Sequence, residues 1–221
     1  MKPGDFFVGV IDFFSILLPG TFLTGAIAAI LPMPPVLEGL LASETAKWVA
    51  FALAGYALGH FTFLVAARLD GLYDKYRDWK WQGFRGSGKP LQEATALRRA
   101  QFPIAGDDLP MNTLDWAKSI LLLRAPAALA EVERYEASSK FFRSMTLVLP
   151  LLGLAATWLG FWPMLPLGGA MAVLSFGTFA KLRFKSSDWA YKYVIVLDRL
   201  GELEKGRTPA KSGRAGDDER D

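Results

Sequence analysis

Residues 48–67 read WVAFALAGYALGHFTFLVAA, twenty positions without Asp, Glu, Lys or Arg and with the chain's only histidine, His60, among them. In hydrocarbon every backbone N–H and C=O must find its partner within the segment, so such a stretch is stable there only as a helix. Twenty helical residues rise about 30 Å, the thickness of a bilayer's apolar core. The stretch is therefore predicted to be a transmembrane helix, and the rest of the chain has to be arranged around it.

Three further apolar blocks match it: Phe13–Leu31, which can begin as early as Phe6, Met145–Phe161 and Leu165–Leu182. They explain why 52% of the residues are hydrophobic while 21% are charged: the two kinds alternate in long blocks. The sequence predicts an all-α integral membrane protein with four transmembrane helices, a helical cytoplasmic insertion and a C-terminal amphipathic helix. The expected division is 1–67 for helices one and two, 68–144 for the cytoplasmic region, 145–182 for a hairpin of helices three and four, and 183–221 for the amphipathic helix and a disordered tail. Ala26-Ile27-Ala28 has the form of a signal-peptidase site, but Lys2 is offset by Asp5 and Asp12, the wrong charge balance for a leader.

Orientation follows from Lys and Arg near the span ends. Thirteen of them, including Arg68, Lys75, Arg134, Arg143, Arg183 and Arg199, fall on one side, and Lys47 stands alone on the other. Both termini and the long middle segment are thus expected in the cytoplasm, with the protein in the inner membrane and the lipid bilayer as its first partner. The absence of Cys rules out disulfides, thiolate metal sites and cysteine nucleophiles. The basic residues track the membrane ends, so they are read as topology determinants and anionic-lipid contacts rather than a nucleic-acid surface.

Along the chain, Pro19 interrupts the first span with an expected kink. Pro32, Pro34 and Pro35 end that helix, and Val36–Ala42 is expected along the outer interface. The second span is predicted to continue as a helix through Trp81, with Trp79 and Trp81 at the headgroups, until Gly83–Pro90 breaks it. A short helix over Leu91–Gln101 follows, then a turn at Pro103–Pro110. Asn112 or Thr113 caps the next helix, and Pro126 opens one that runs towards span three. Ser186 or Ser187 is expected to cap a new helix after span four, ending at Gly206.

Chemistry-bearing patterns are sparse. Gly83 to Lys89 spells G-x-x-x-x-G-K, but Pro90 stands where a P-loop needs Ser or Thr, and a charged helix precedes it instead of a strand. The carboxylates Asp115, Glu131, Glu133 and Glu136 lie among Lys and Arg and read as a solvated face. No catalytic residue, metal site or cofactor site is predicted. Gly55 and Gly59 form a GxxxG pair at which helix backbones can approach closely, within the chain or between copies. Asp12 and His60 are the intramembrane polar candidates, expected at similar depth and able to pair.

The LLPG of Leu17–Gly20, the GYxLGH of Gly55–His60 and the E-x-S-S-K-F-F-R of Glu136–Arg143 together resemble small multi-pass bacterial inner-membrane proteins. That resemblance implies the fold and the location and carries no activity, cofactor or site residue. Four-helix membrane effectors of phage-defence systems share the same general shape. The functional expectation is a non-enzymatic membrane protein, a homo-oligomer presenting a cytoplasmic helical platform to a protein partner, as in antiviral defence. The alternative is a small channel or transporter lined by Ser15, Thr21, Thr24, Thr62, Thr146, Thr157, Ser175 and Thr178.

Overall fold

The computed structural model describes residues 3–31, 43–81, 88–102 and 111–207, with side chains described at 15–31, 43–79, 88–102 and 111–201. Seven helices account for nearly all of these residues, and no strand occurs among them. They are α1 (Pro3–Ile30), α2 (Glu44–Ala66), α3 (Leu69–Trp81), α4 (Lys89–Gln101), α5 (Thr113–Arg124), α6 (Pro126–Trp158) and α7 (Met164–Arg207). Helices α2, α6 and the Met164–Gly201 part of α7 are long and apolar enough to cross a membrane. The described side chains of α1, Ser15–Ile30, form a shorter apolar helix.

Local chemistry sets the ends. Ser43 caps α2, its hydroxyl accepting from the Ala46 N–H at 3.1 Å, so the helix starts before the uncharged stretch. Asn112 caps α5 by accepting from the Asp115 N–H at 2.9 Å, as its residue type predicts. Between α6 and α7 the chain reverses through Gly160, the one described residue with positive φ, at 95°. The Phe161 N–H reaches back to the Ala156 carbonyl and the Gly160 N–H to that of Thr157, a pairing that satisfies the last carbonyls of α6.

Two expectations are corrected here. Helix α2 does not continue unbroken into the charged segment: it ends in a turn at Ala67–Arg68, and α3 starts anew at Leu69. The aromatic face of α3 is drawn sideways onto α7, where Tyr73 meets Phe179 and Tyr76 meets Phe176. Nor does a helix start at Ser186 or Ser187. Helix α7 passes through both without a break, and Ser186 is buried with its hydroxyl on the Val132 carbonyl of α6. A serine inside a helix caps nothing, because the preceding turn already supplies the carbonyls its N–H groups need. The expectations at Val36–Ala42, over most of Gly83–Pro90, at Pro103–Pro110 and in the tail after Arg207 lie outside the described residues.

The bundle has an apolar end and a polar end. At the apolar end α1 lies against α2 and α6, and α6 lies against α7. At the polar end α4 and α5 pack onto the lower halves of α6 and α7 around Trp116, Leu121, Val132, Ala190 and Val194. Helices α6 and α7 belong to both ends, so each carries its packing from one to the other without a joint.

Candidate functional site

The most closely fitted part of the apolar end is the α1–α2 crossing. A Cβ on Gly20 would lie 1.8 Å from the Gly55 carbonyl oxygen and 2.4 Å from the Gly59 nitrogen. A Cβ on Gly59 would lie 2.1 Å from the Ile16 carbonyl oxygen, and one on Gly55 would lie 2.7 Å from Thr21 Cγ2. Gly55 and Gly59 thus face α1 of the same chain, one turn apart, with Gly20 set between them. Pro19 sits beside this contact, fully buried, and α1 is helical on both sides of it.

A second crossing joins α6 to α7. A Cβ on Gly153 would lie 2.6 Å from the Met164 carbonyl oxygen, and one on Gly168 would lie 2.7 Å from that of Leu149. Sequence reasoning singled out neither these two nor Gly20. Their partners lie eleven or more residues away, and only the hairpin register brings them together. The one usable signal was a glycine in each of two spans joined by a short turn.

Helices α1 and α2 carry the polar candidates. His60 is exposed, its ring edge-on to Tyr56 at 4.5 Å between centroids. Asp12 lies in α1, but its side chain is outside the described residues, so the proposed Asp12–His60 pair is too. The threonine hydroxyls of the apolar helices bond to their own helices: Thr21 to the Leu18 carbonyl, Thr24 to Gly20, Thr62 to Leu58, Thr146 to Phe142, Thr157 to Gly153 and Thr178 to Leu174. Ser175 differs, donating across to the Phe142 carbonyl of α6 at 2.9 Å.

Where the two ends meet, charged residues do structural work that the sequence does not announce. Arg143, only 8% exposed, donates to Asp70 at 2.7 Å and lies over the Phe63 ring at 4.7 Å, tying α6 to both α2 and α3. Its place in the sequence is that of a topology-setting cation, yet it is buried in the fold. Glu136, read as part of a solvated face, is 19% exposed and receives Lys118 of α5, with Lys140 at 3.7 Å and Arg183 of α7 at 3.9 Å. Burial pushes its carboxyl pKa up, but the Lys118 hydrogen bond and the three positive charges outweigh that and hold it below the ordinary value. Glu131 accepts from Tyr193 at 2.5 Å and Tyr135 at 3.2 Å, and the Tyr193 bond holds its pKa low. Along the sequence Glu131 and Glu136 of α6 look solvated, because the groups that face them come mostly from α5 and α7.

Below this junction is a polar cleft of about 190 Å3. Asp70, Tyr73, Asp74 and Arg77 of α3 form one wall, and Arg183, Ser186, Ser187 and Tyr191 of α7 form the other. Arg77 is held by Asp74 at 3.1 Å and Asp78 at 3.2 Å. Burial pushes the Tyr73 phenol up to about 12 and raises that of Tyr191, so both are neutral hydrogen-bonding groups at neutral pH. Two carboxylates and two guanidiniums balance the cleft's charge. Among the described residues no group of three His, Cys, Asp or Glu is placed to hold a metal ion. No protein-family model, curated protein or solved structure matches this chain.

Proposed function

We propose that this is a non-enzymatic, multi-pass protein of the bacterial inner membrane, with four spans and both termini cytoplasmic. In this reading it self-associates in the bilayer and offers its polar end to a cytoplasmic protein partner, the behaviour of a membrane effector in phage defence. The observation that carries it is the continuity of α6 and α7 from the apolar end into the packed polar end. A helix pair shared in this way couples whatever happens in the membrane to whatever docks below. The far tip of the polar end, where α5 turns into α6, presents Leu123 at 82% exposure with Leu122 beside it, an apolar patch of the kind that partners cover.

Self-association is supported by His60. Its ring is exposed about 12 Å from the cytoplasmic end of the second span, at 1.5 Å per residue. Lipid tails offer it no hydrogen bond, whereas a second copy can. The six threonines among the candidate lining hydroxyls are bonded to carbonyls of their own helices, which favours a scaffold over a channel. Light scattering of the detergent-solubilised protein tests the reading. A dimer or larger assembly that His60→Leu dissociates is expected, and a monomer for the natural sequence would overturn it.

A further inference from the structure

Helix α3 meets α7 along one side, and the two faces of α3 reach different heights on α7. Tyr76 meets Phe176 at 5.9 Å, in the apolar part of α7. Tyr73 meets Phe179 at 5.6 Å. Asp70, Asp74 and Arg77 line the cleft with Arg183, Ser186, Ser187 and Tyr191, about 6–18 Å past Phe179 along α7 at 1.5 Å per residue. One edge of α3 therefore points towards the apolar end and the opposite edge towards the polar end.

The edge beside Tyr76 carries Leu72, 53% exposed, and Trp79, 77% exposed. At 100° per residue these two lie about 40–60° from Tyr76, the exposed Lys75 follows next around the helix, and the exposed Arg68 stands in the turn just before it. The acidic residues Asp70, Asp74 and Asp78 occupy the other side. Apolar side chains with a tryptophan, flanked by bases and backed by acids, form the charge pattern of a helix lying in the headgroup layer of an anionic membrane. The position agrees: only two residues separate the end of α2 from the start of α3.

We propose that α3 docks on the bilayer surface beside the bundle, Leu72 and Trp79 entering the acyl boundary and Arg68 and Lys75 meeting anionic lipid headgroups. This rests on the reading of α2, α6 and α7 as spans. Docking would hold the α3 wall of the cleft at a fixed height on α7, so that the cleft opens to the cytoplasm just under the headgroups.

The chain lacks cysteine, so single cysteines at Leu72, Asp74, Asp78 and Trp79 can each carry a nitroxide without background. Each labelled protein is reconstituted into phosphatidylcholine vesicles with and without phosphatidylglycerol. Accessibility to oxygen, which partitions into lipid, is compared with that to a water-soluble nickel chelate. The oxygen-to-nickel ratio at Leu72 and Trp79 should be several-fold above that at Asp74 and Asp78, and phosphatidylglycerol should raise it further. A label at Val173, 73% exposed on α7, is the reference for a span. If Val173 favours oxygen while Trp79 matches Asp78, the docking proposal is overturned and the spans stand. If Val173 favours nickel, the span reading fails and takes the proposal with it. A Trp79 label shielded from both reagents would mean that protein covers this edge, which also overturns it. Equal ratios with and without phosphatidylglycerol would remove Arg68 and Lys75 from lipid recognition.

Discussion

Replacing Gly20 with alanine adds one methyl group where the α1–α2 crossing has no room for it. The new Cβ would stand 1.8 Å from the Gly55 carbonyl oxygen, whereas carbon–oxygen contacts normally lie near 3.3 Å, so the helices must part by roughly 1.5 Å. A gap of 0.5–1 Å already forfeits about a quarter to a half of a contact's dispersion energy. The three atoms nearest the methyl are all backbone of Gly55 and Gly59, so rotamer changes bring no relief, and the cost should reach about 3 kcal/mol, the upper part of the usual overpacking range. For a chain of this size that is a fall in Tm of roughly 6–12 °C. The series should be graded. Gly59→Ala, at 2.1 Å from a backbone oxygen, should come next, and Gly55→Ala, whose closest contact is the Thr21 methyl at 2.7 Å with the Thr21 backbone no nearer than 3.2 Å, should cost less. Gly25→Ala has nothing within 4 Å and should be neutral or slightly stabilising through helix propensity. Thermal unfolding in detergent, followed by tryptophan fluorescence and circular dichroism, measures all four. Equal Tm values for Gly20→Ala and Gly25→Ala would refute the intrachain crossing.

Gly168→Val should lower Tm by a similar amount through the α6–α7 crossing, while Gly177→Val, which meets open space, should not; the same melting assay compares them. Arg143→Met removes the cation from a buried site beside Asp70, and because Asp70 is 40% exposed the loss should be held to about 2 kcal/mol; adding Asp70→Asn should recover part of it in a double-mutant cycle. Glu131 and Glu136 have lowered folded pKa values, so the stability they supply is present above the ordinary carboxylate value of 4.5 and is lost as pH falls through the folded values. Tm measured down an acid series should fall below pH 4.5, and Tyr193→Phe, which removes the bond holding Glu131 low, should shrink that fall. Tyr193 and Tyr73 are raised to about 12, so their share persists below pH 10 and is lost as pH rises through 12, which phenolate absorbance can follow.

What the sequence made legible depended on how local its causes were. The uncharged 48–67 stretch, the Asn112 cap and the Pro126 start each act through neighbours within a few residues, and the helices appear where those signals put them. Gly55 and Gly59 could be marked as a packing face, but Gly20 could be found only through its place across the loop. Arg143 and Glu136 illustrate the same limit: counted along the chain they are surface charges, and only the folded bundle supplies Asp70, Phe63, Lys118 and Arg183 around them. Ser186 carried a strong capping preference and was overruled, because α7 already had an unbroken ladder and a buried carbonyl at Val132 to receive the hydroxyl.

Membrane crossing by all four apolar helices is decided by where the loops lie. Reporters that distinguish cytoplasm from periplasm can be fused at both termini and after residues 40, 87 and 163. Four spans with the basic side inward require residues 40 and 163 outside, and residue 87 and both termini inside. Finding residue 40 on the same side as the N-terminus would mean that α1 does not cross, which would leave three spans and contradict the architecture proposed here.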